Sequence, residues 1–209
     1  MYREVEIKYS IDDDTKVSEI LEDELLTSLE CEGTRRTLSM HAVYYDTEDG
    51  SLQKNGAAFR VRLEGDDYVA TIKMGGSVSE GVHKRFEVNR TVDDSNFIEN
   101  PRLDIFGDVE EIRNVLGDIL DMDISSIMEM NYVRELFDVE YEQSRMEVAL
   151  DQGDIWTDEG NAPICELEIE IHEGTVEDLT SLGGIICRHY GLRTESRSKF
   201  ARGIELISK

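Results

Sequence analysis

Cysteine, proline and tryptophan are scarce in this sequence, and long apolar runs are missing. The 209 residues include three cysteines, two prolines and one tryptophan. Cys31, Cys165 and Cys187 are odd in number, lie far apart and include no C-x-x-C pair, which argues against a disulfide framework and against a zinc site. No stretch approaches the roughly 18 consecutive apolar residues that a membrane span needs, and the first residues lack the pattern of a secretory signal. We therefore expect free thiols and a cytoplasmic protein.

Basic side chains are also few compared with acidic ones. The sequence has 22 lysines and arginines against 47 aspartates and glutamates, which gives a formal net charge of −25 at pH 7. This excess of acidic side chains argues against general binding to nucleic acid or to an anionic membrane. Any anionic ligand must therefore be bound by a local group of basic side chains. It also suggests a salty cell interior, where screening makes self-repulsion tolerable. The balance of 39% hydrophobic and 33% charged residues is typical of a globular protein, and we expect one domain over residues 1–209.

Alternation of charged and apolar residues is the strongest structural signal in the chain. In the first segment, Glu4, Glu6 and Lys8 fall on one face of a strand, and Val5 and Ile7 fall on the other. The same pattern, or an extended run, predicts further strands over residues 36–46, 57–63, 68–74, 84–92, 132–140, 145–151, 164–171 and 198–206. A glycine loop is expected at residues 75–76. The chain is therefore predicted to be built mainly from strands.

Apolar residues at helical spacing predict helices in three places. The first helix begins at a cap, either Asp14 or Thr15, and ends at Gly33. A second helical region is expected over residues 94–130, and a third helix over residues 176–190. We expect these helices to cover the apolar faces of the strands.

The charged strand faces are sorted by type, which a sheet with one face in water would not require. One strand carries Arg60 and Arg62, whereas another carries Glu166, Glu168 and Glu170. A closed antiparallel β-barrel of the α+β class, with charged side chains lining its lumen and helices packed outside, explains this sorting. Burying so many charges is costly unless a ligand neutralises them. Three consecutive phosphoryl groups with Mg²⁺ fit such a lumen, because Mg²⁺ prefers carboxylate oxygens and also binds phosphate.

The first strand, with its E-x-E-x-K pattern from Glu4 to Lys8, resembles the opening strand of the CYTH superfamily, also called triphosphate tunnel metalloenzymes. That family includes class IV adenylate cyclases, thiamine triphosphatases and inorganic triphosphatases. The resemblance continues in order along nearly the whole chain, through residues 44–47, 59–62, 71–73, 85–87, 134, 150–151, 166–168 and 198–203. An ordered series of matches of this length is specific to that family.

By this resemblance, a group of basic side chains would grip a triphosphate, and a group of carboxylates would hold one or two Mg²⁺ or Mn²⁺ ions. The basic group consists of Lys8, Arg60, Arg62, Lys73, Arg85, Arg134, Lys199 and Arg202. The metal group consists of Glu4, Glu6, Glu87, Asp151, Glu166 and Glu168. Glu170 shares the strand face of the last two but lies one step beyond the matching pair. Catalysis is assigned to Glu4, Glu6 and Lys8, with Lys8 expected to steer or activate the attacking water.

The resemblance implies a metal-dependent hydrolase that cleaves the terminal phosphate of inorganic triphosphate or of a small organic triphosphate such as thiamine triphosphate. The alternative is a class IV adenylate cyclase, which would make cyclic AMP and pyrophosphate from ATP in the same tunnel. Hydrolysis is favoured because the sequence shows no recognisable pocket for a base. A non-catalytic polyphosphate- or nucleotide-binding module is a further alternative, but it would be expected to lack a metal carboxylate, and none is missing. A monomer and a homodimer both remain open.

Overall fold

The strands of this chain close into an antiparallel barrel. The computed structural model describes residues 3–79, 81–92 and 96–208. Within these ranges the strands are β1 Arg3–Ser10, β2 Arg36–Asp46, β3 Ala57–Glu64, β4 Asp67–Ser79, β5 Val82–Val92, β6 Ser125–Tyr141, β7 Ser144–Thr157, β8 Gly160–Glu173 and β9 Arg193–Thr194. Neighbouring strands follow the order β5-β4-β3-β2-β6-β7-β8-β1, and β1 also pairs with β5, which closes the ring, while β9 extends the edge of β1. The predicted closed barrel is confirmed.

The register of β1 brings charges from three strands onto one face. Glu4 pairs with Arg85 on β5, and Lys8 pairs with Glu168 on β8. Directly paired residues point to the same face of a sheet, and side chains alternate between faces along each strand. The charged faces of β1, β5 and β8 therefore point together into the lumen.

Helices account for most of the remaining chain. They are α1 Thr15–Leu21, α2 Glu24–Leu29, α3 Ser51–Lys54, α4 Asn96–Glu99, α5 Glu110–Leu116, α6 Val176–Tyr190 and α7 Lys199–Ile207, with 3-10 helices at Asp104–Phe106 and Gly117–Asp121. No helix in the described part of the chain is long and apolar enough to cross a membrane. The predicted third helix matches α6, whose first turn is capped where the Thr175 side chain accepts from the Asp178 N–H and whose end is Gly191, at φ 62°.

The outer face of the barrel is apolar and is covered by two groups of helices. Ile7 and Ile169 belong to a buried cluster that includes residues of α1, α2 and α6. On the other side, Phe59 and Ile72 pack with α5 and the two 3-10 helices. Each of these buried side chains contributes roughly 1.5–3 kcal/mol relative to exposure. Because the apolar core lies outside the strands, the lumen is left for polar groups.

One end of the lumen is apolar and is filled by α7. Met128 and Met130 on β6 belong to a buried cluster against which Phe200 and Ile204 of α7 pack. The helix approaches closely because it carries a glycine at the contact, where a Cβ on Gly203 would lie 2.4 Å from the Met128 sulfur. The helix therefore forms the floor of the polar part of the lumen.

The predicted last strand over residues 198–206 is wrong, because this segment is α7. The Ser198 side chain accepts a hydrogen bond from the Ala201 N–H at 3.1 Å, which caps the first turn of a helix. The segment alternates too briefly for its period to distinguish strand from helix. Packing against the lumen decides in favour of the helix.

Two predicted helical regions are shorter than expected. The first is divided into α1 and α2, because the Asp23 side chain accepts from the Leu26 N–H and starts a second helix. The second contains only α4, α5 and the 3-10 helices before β6 begins at Ser125. Its predicted start at Asp94 lies outside the described residues. Its predicted end near Met130 is wrong, because Met128 and Met130 are alternate buried residues of β6.

The predicted glycine loop at residues 75–76 lies inside β4. The pairing of β4 with β5 shifts register between Met74 and Ser77, which marks a β-bulge. Gly76 has φ 127°, and a Cβ there would lie 2.9 Å from the carbonyl oxygen of Lys84. Glycine is required at this bulge by both conformation and space.

Candidate active site

A charged cavity occupies the lumen above α7. It encloses about 910 Å³, counting the space at its openings. Its charged lining consists of Glu4, Glu6, Lys8, Arg60, Arg62, Glu64, Lys73, Arg85, Glu87, Arg134, Glu147, Glu168, Glu170 and Lys199. Its other lining residues are Tyr44, Ala58, Asn89, Tyr132, Ser198 and Phe200. Charges are buried at such density only where they pair with one another or with a charged ligand.

Lys199, the first residue of α7, reaches three carboxylates at the floor of the cavity. Its ammonium lies 2.6 Å from Asp151 Oδ2 and 2.9 Å from Glu168 Oε1, and it also contacts Glu166 Oε1. The three carboxylates bring ligand atoms within 4.8 Å of one another. The lysine ammonium therefore sits among oxygens that would otherwise repel each other strongly.

Two arginines complete this floor. The Arg134 guanidinium donates to both carboxylate oxygens of Asp151, at 2.7 and 2.6 Å, and to Glu168 Oε2 at 2.6 Å. Arg202 on α7 donates to Glu166 Oε2 at 2.5 Å. We call these six residues the floor cluster, and their members are Arg134, Asp151, Glu166, Glu168, Lys199 and Arg202. Three cations match three carboxylates, so the floor cluster is close to neutral.

Burial and neighbouring charges together set the protonation of the floor cluster. Burial alone raises the pKa of Asp151, but Arg134 and Lys199 outweigh it and hold the pKa below its ordinary value. The pKa of Glu168 is held well below its ordinary value because Lys199, Lys8 and Arg134 outweigh burial. Burial dominates at Glu166, whose pKa is raised despite Lys199. Asp151 and Glu168 are thus biased toward the ionised form.

Two further lysines pair with the carboxylates of β1 and β5, and Lys8 also reaches the floor cluster. Lys8 Nζ lies 3.0 Å from Glu6 Oε1 and also contacts Glu168 Oε1. Burial would lower the pKa of Lys8, but Glu168 and Glu6 outweigh it and raise the pKa. Lys73 Nζ lies 2.7 Å from Glu4 Oε1 and 2.6 Å from a Glu87 oxygen. Both lysines therefore stay protonated near neutral pH.

The upper part of the cavity carries more carboxylates than nearby lysines can neutralise. Glu170 pairs directly with Glu6 across β1 and β8. Burial, with Glu4 and Glu6 nearby, raises the pKa of Glu170 to about 8. Burial also raises the pKa of Glu4, although Lys73 opposes it. This acidic group, which consists of Glu4, Glu6, Glu87 and Glu170, offers the hard oxygen donors that Mg²⁺ and Mn²⁺ prefer.

Arginines from β3 and β5 form a basic wall that lines the same cavity. Arg60 is hydrogen-bonded to Tyr44, and this contact helps to lower the pKa of the buried phenol against the effect of burial. Arg62 donates to Glu64 at 2.7 Å, and Arg85 donates to His83 Nδ1 at 2.6 Å. Guanidinium groups present planar sets of donors that match phosphate oxygens. The lumen thus places a wall of guanidinium groups beside an acidic group.

Most of the predicted site residues line this cavity. Asp151, Glu166 and Arg202 do not line it but belong to the floor cluster beneath it. Lys199 and Arg202 extend toward the lumen from α7, whereas a strand was predicted for their segment. The structure therefore brings the predicted residues together, and their individual roles remain predictions.

Several lining residues were not singled out from the sequence. Tyr44 and Tyr132 lie on the lumen faces of β2 and β6, and strand parity could have placed them there. Asn89 holds the side chain of Glu87 at 2.8 Å and accepts a hydrogen bond from Thr71 at 2.6 Å. No local signal marks Asn89, because its role depends on the pairing of β4 with β5.

The chain matches the family model described as the CYTH domain over residues 2–204. It is 30% identical to the inorganic triphosphatase of Haemophilus influenzae over 174 residues, which cover 83% of this chain and 47% of that protein. The chain thus spans about half the length of this relative.

Solved structures share the fold at low sequence identity. The adenylyl cyclase-like protein HpAC1 of Hippeastrum, described as having a dominant triphosphatase activity, superposes with a TM-score of 0.70 at 20% identity, covering 97% of this chain and 95% of that one. The RNA triphosphatase domain of a mimivirus mRNA capping enzyme gives a TM-score of 0.53 at 12% identity, covering 91% and 88%. With the family match over nearly its full length, this chain belongs to the CYTH domain family.

Proposed function

We propose that this protein is a metal-dependent triphosphatase that cleaves the terminal phosphate of inorganic triphosphate or of a small organic triphosphate. The observation that carries the proposal is the juxtaposition, in one buried lumen, of a wall with Arg60, Arg62 and Arg85 and the acidic group around Glu6 and Glu170. The similarity to an inorganic triphosphatase of Haemophilus influenzae supports the same reaction.

The substrate would lie along the basic wall. Its consecutive phosphoryl groups carry several negative charges, and the buried arginines can meet them with multiple charge-assisted hydrogen bonds. The cavity has little apolar surface, because its uncharged lining is limited to a few residues such as Tyr44, Tyr132 and Phe200. A linear triphosphate therefore fits this lining better than a large nucleoside does.

The metal would lie on the side of Glu4, Glu6 and Glu170. Glu6 Oε1 is buried and has no well-oriented hydrogen bond among the described residues, although Lys8 is nearby. The floor cluster is less suited, because three cations already match its three carboxylates, whereas two lysines face the four carboxylates of the acidic group. When bound, a divalent ion would neutralise phosphate charge and bring substrate and water together.

The protein's own residues would supply positioning and charge stabilisation, which phosphoryl transfer chiefly requires. Lys8 is protonated, so it would orient water or a phosphate oxygen and would not act as a base. Arg60 and Arg134 would stabilise charge on the pyrophosphate that leaves after water attacks the terminal phosphorus. Ion pairs with neighbouring carboxylates hold Lys8 and Arg134 in place before substrate arrives.

The test is product analysis with purified protein. The protein is incubated with Mg²⁺ or Mn²⁺ and, separately, with tripolyphosphate, thiamine triphosphate and ATP, and the products are resolved by phosphorus NMR. We expect orthophosphate and pyrophosphate from tripolyphosphate. A preparation of the Glu6→Gln variant, purified in the same way, is the control for contaminating phosphatases. Cyclic AMP with pyrophosphate from ATP would replace this proposal with the cyclase reaction, and tight binding without any product would indicate a binding module.

A further inference from the structure

His83 on β5 is fully buried beside Arg85, which lines the cavity, and none of the steps above uses His83. We propose that His83 is a positioning residue that holds the Arg85 guanidinium toward the bound triphosphate. This inference rests on the proposed function, because Arg85 is taken to bind phosphate. The two residues are two positions apart on the same strand and therefore share its lumen face.

The hydrogen bonds of His83 define a single neutral form of its ring. Arg85 Nη2 lies 2.6 Å from His83 Nδ1, and an arginine can only donate, so Nδ1 must be the acceptor. His83 Nε2 lies 3.0 Å from the carbonyl oxygen of Glu195, which can only accept. Nε2 therefore carries the proton and donates to Glu195. Both ring nitrogens are satisfied by unlike partners, which fixes the orientation of the imidazole.

A neutral anchor leaves the charge of Arg85 available to a ligand. Arg134 is held by Asp151, and Arg62 by Glu64, so each of these cations is already partly neutralised. Glu4, the cross-strand neighbour of Arg85, pairs with Lys73 instead, and across the described ranges of the chain Arg85 forms no ion pair with a carboxylate. A histidine thus orients this guanidinium without cancelling its charge. An arginine held this way attracts phosphate more strongly than one paired with a carboxylate.

The same histidine connects the basic wall to the segment that leads into α7. The Glu195 N–H donates to the Lys8 carbonyl at 2.9 Å, so this segment is also tied to β1. Three residues later Ser198 caps α7, and Lys199 follows with its ammonium in the floor cluster. His83 therefore sets the distance between Arg85 on β5 and the start of α7.

Two near-isosteric variants separate the two hydrogen bonds. In His83→Asn, the amide oxygen can take the place of Nδ1 and accept from Arg85. In His83→Gln, the amide nitrogen can take the place of Nε2 and donate to Glu195, but Arg85 loses its acceptor. We expect His83→Gln to raise the KM for tripolyphosphate about tenfold, which corresponds to the loss of one charge-assisted hydrogen bond, with a smaller change in kcat. We expect His83→Asn to keep most of the affinity of the wild type.

A double-mutant cycle shows whether the effect passes through Arg85. In an Arg85→Ala background, His83→Gln should add little to the rise in KM. Equal KM values for the wild type and both variants, or an undiminished effect in the Arg85→Ala background, would overturn the inference. Thermal melting of each variant reports whether the fold is kept.

A measurement on the unmodified protein keeps the test independent of folding and of turnover. Long-range nitrogen–proton NMR spectra, assigned among only four histidines, should show His83 as the neutral form protonated on Nε2. A charged ring, or a proton on Nδ1, would contradict the inference. Absence of tripolyphosphate cleavage by the wild type would instead refute the proposed function, while this spectrum would still report the state of His83.

Discussion

Lys199 places its ammonium 2.6 Å from the Asp151 carboxylate, which is fully buried in the floor cluster. The lysine starts a helix that enters the lumen, whereas the aspartate belongs to a strand of its wall. The pair shows that α7 supplies charge as well as packing to the lumen. Its loss would leave three buried carboxylates with only Arg134, Arg202 and Lys8 as their counter-charges.

We expect Lys199→Met to destabilise the protein strongly. Removing one partner of a buried ion pair typically costs about 3–5 kcal/mol, because the other charge remains buried. The free energy of unfolding is measured in urea at pH 7, with Lys54→Met as the control, since Lys54 is largely exposed. A loss no larger than that of the control would mean that the floor cluster does not depend on Lys199.

We expect Glu6→Gln to abolish metal-dependent cleavage of tripolyphosphate while the fold is kept. The amide is a poorer ligand than the carboxylate, and a fall in turnover of at least about 100-fold is expected. Initial rates are measured over a range of Mg²⁺ and Mn²⁺ concentrations, and melting temperatures report the fold. Glu48→Gln, at an exposed position outside the cavity, is the matched control. Full activity of Glu6→Gln would exclude Glu6 from the metal group.

We expect Arg60→Ala to weaken substrate binding more than turnover. Arg60 is 9% exposed and lines the basic wall, so its removal takes away charge-assisted hydrogen bonds to phosphate. Such bonds are worth about 1.5–3 kcal/mol, which corresponds to a rise in KM of about 10- to 100-fold. Steady-state kinetics with tripolyphosphate test this, with Arg145→Ala as a control at an exposed ion pair. An unchanged KM would remove Arg60 from the binding wall.

We expect Glu170→Gln to change how stability depends on pH. The folded pKa of Glu170 is about 8, above the ordinary 4.5, so the folded chain keeps a proton that the unfolded chain has released. This residue's contribution to stability is therefore present below about pH 4.5 and is lost as the pH rises toward 8. Glutamine does not titrate, so the variant should gain stability relative to the wild type across that window. Urea unfolding in chelator between pH 5 and 9 measures the difference, and parallel curves would contradict the prediction.

We expect the melting temperature of the wild type to rise with KCl. With a formal charge of −25, repulsion between surface carboxylates opposes folding, and salt screens it. The buried pairs of the floor cluster are screened much less than the surface. Calorimetry from low to molar KCl measures the trend, and a flat or falling melting temperature would argue against adaptation to a salty interior.

Strand parity predicted much of the candidate site. Glu4, Glu6 and Lys8 alternate on β1 and all reach the lumen, as the pattern indicated. Asn89 and His83 could not be predicted in this way, because their partners come from other strands or from a distant segment. An isolated polar residue on a strand is uninformative until the register across the sheet is known.

The sequence by itself determined that charged and apolar residues take opposite faces of each strand, because side-chain direction follows from the local period of two. That sorting of charged and apolar faces was enough to predict a barrel with a charged lumen. Only the tertiary structure decided which charged groups contact one another. Lys199 contacts Asp151 from a helix, Arg85 donates to a neutral histidine, and Arg134 donates to a carboxylate. The reason is physical: ion pairs and hydrogen bonds depend on distances of a few ångströms between residues far apart in the chain, and strand register and helix packing set those distances.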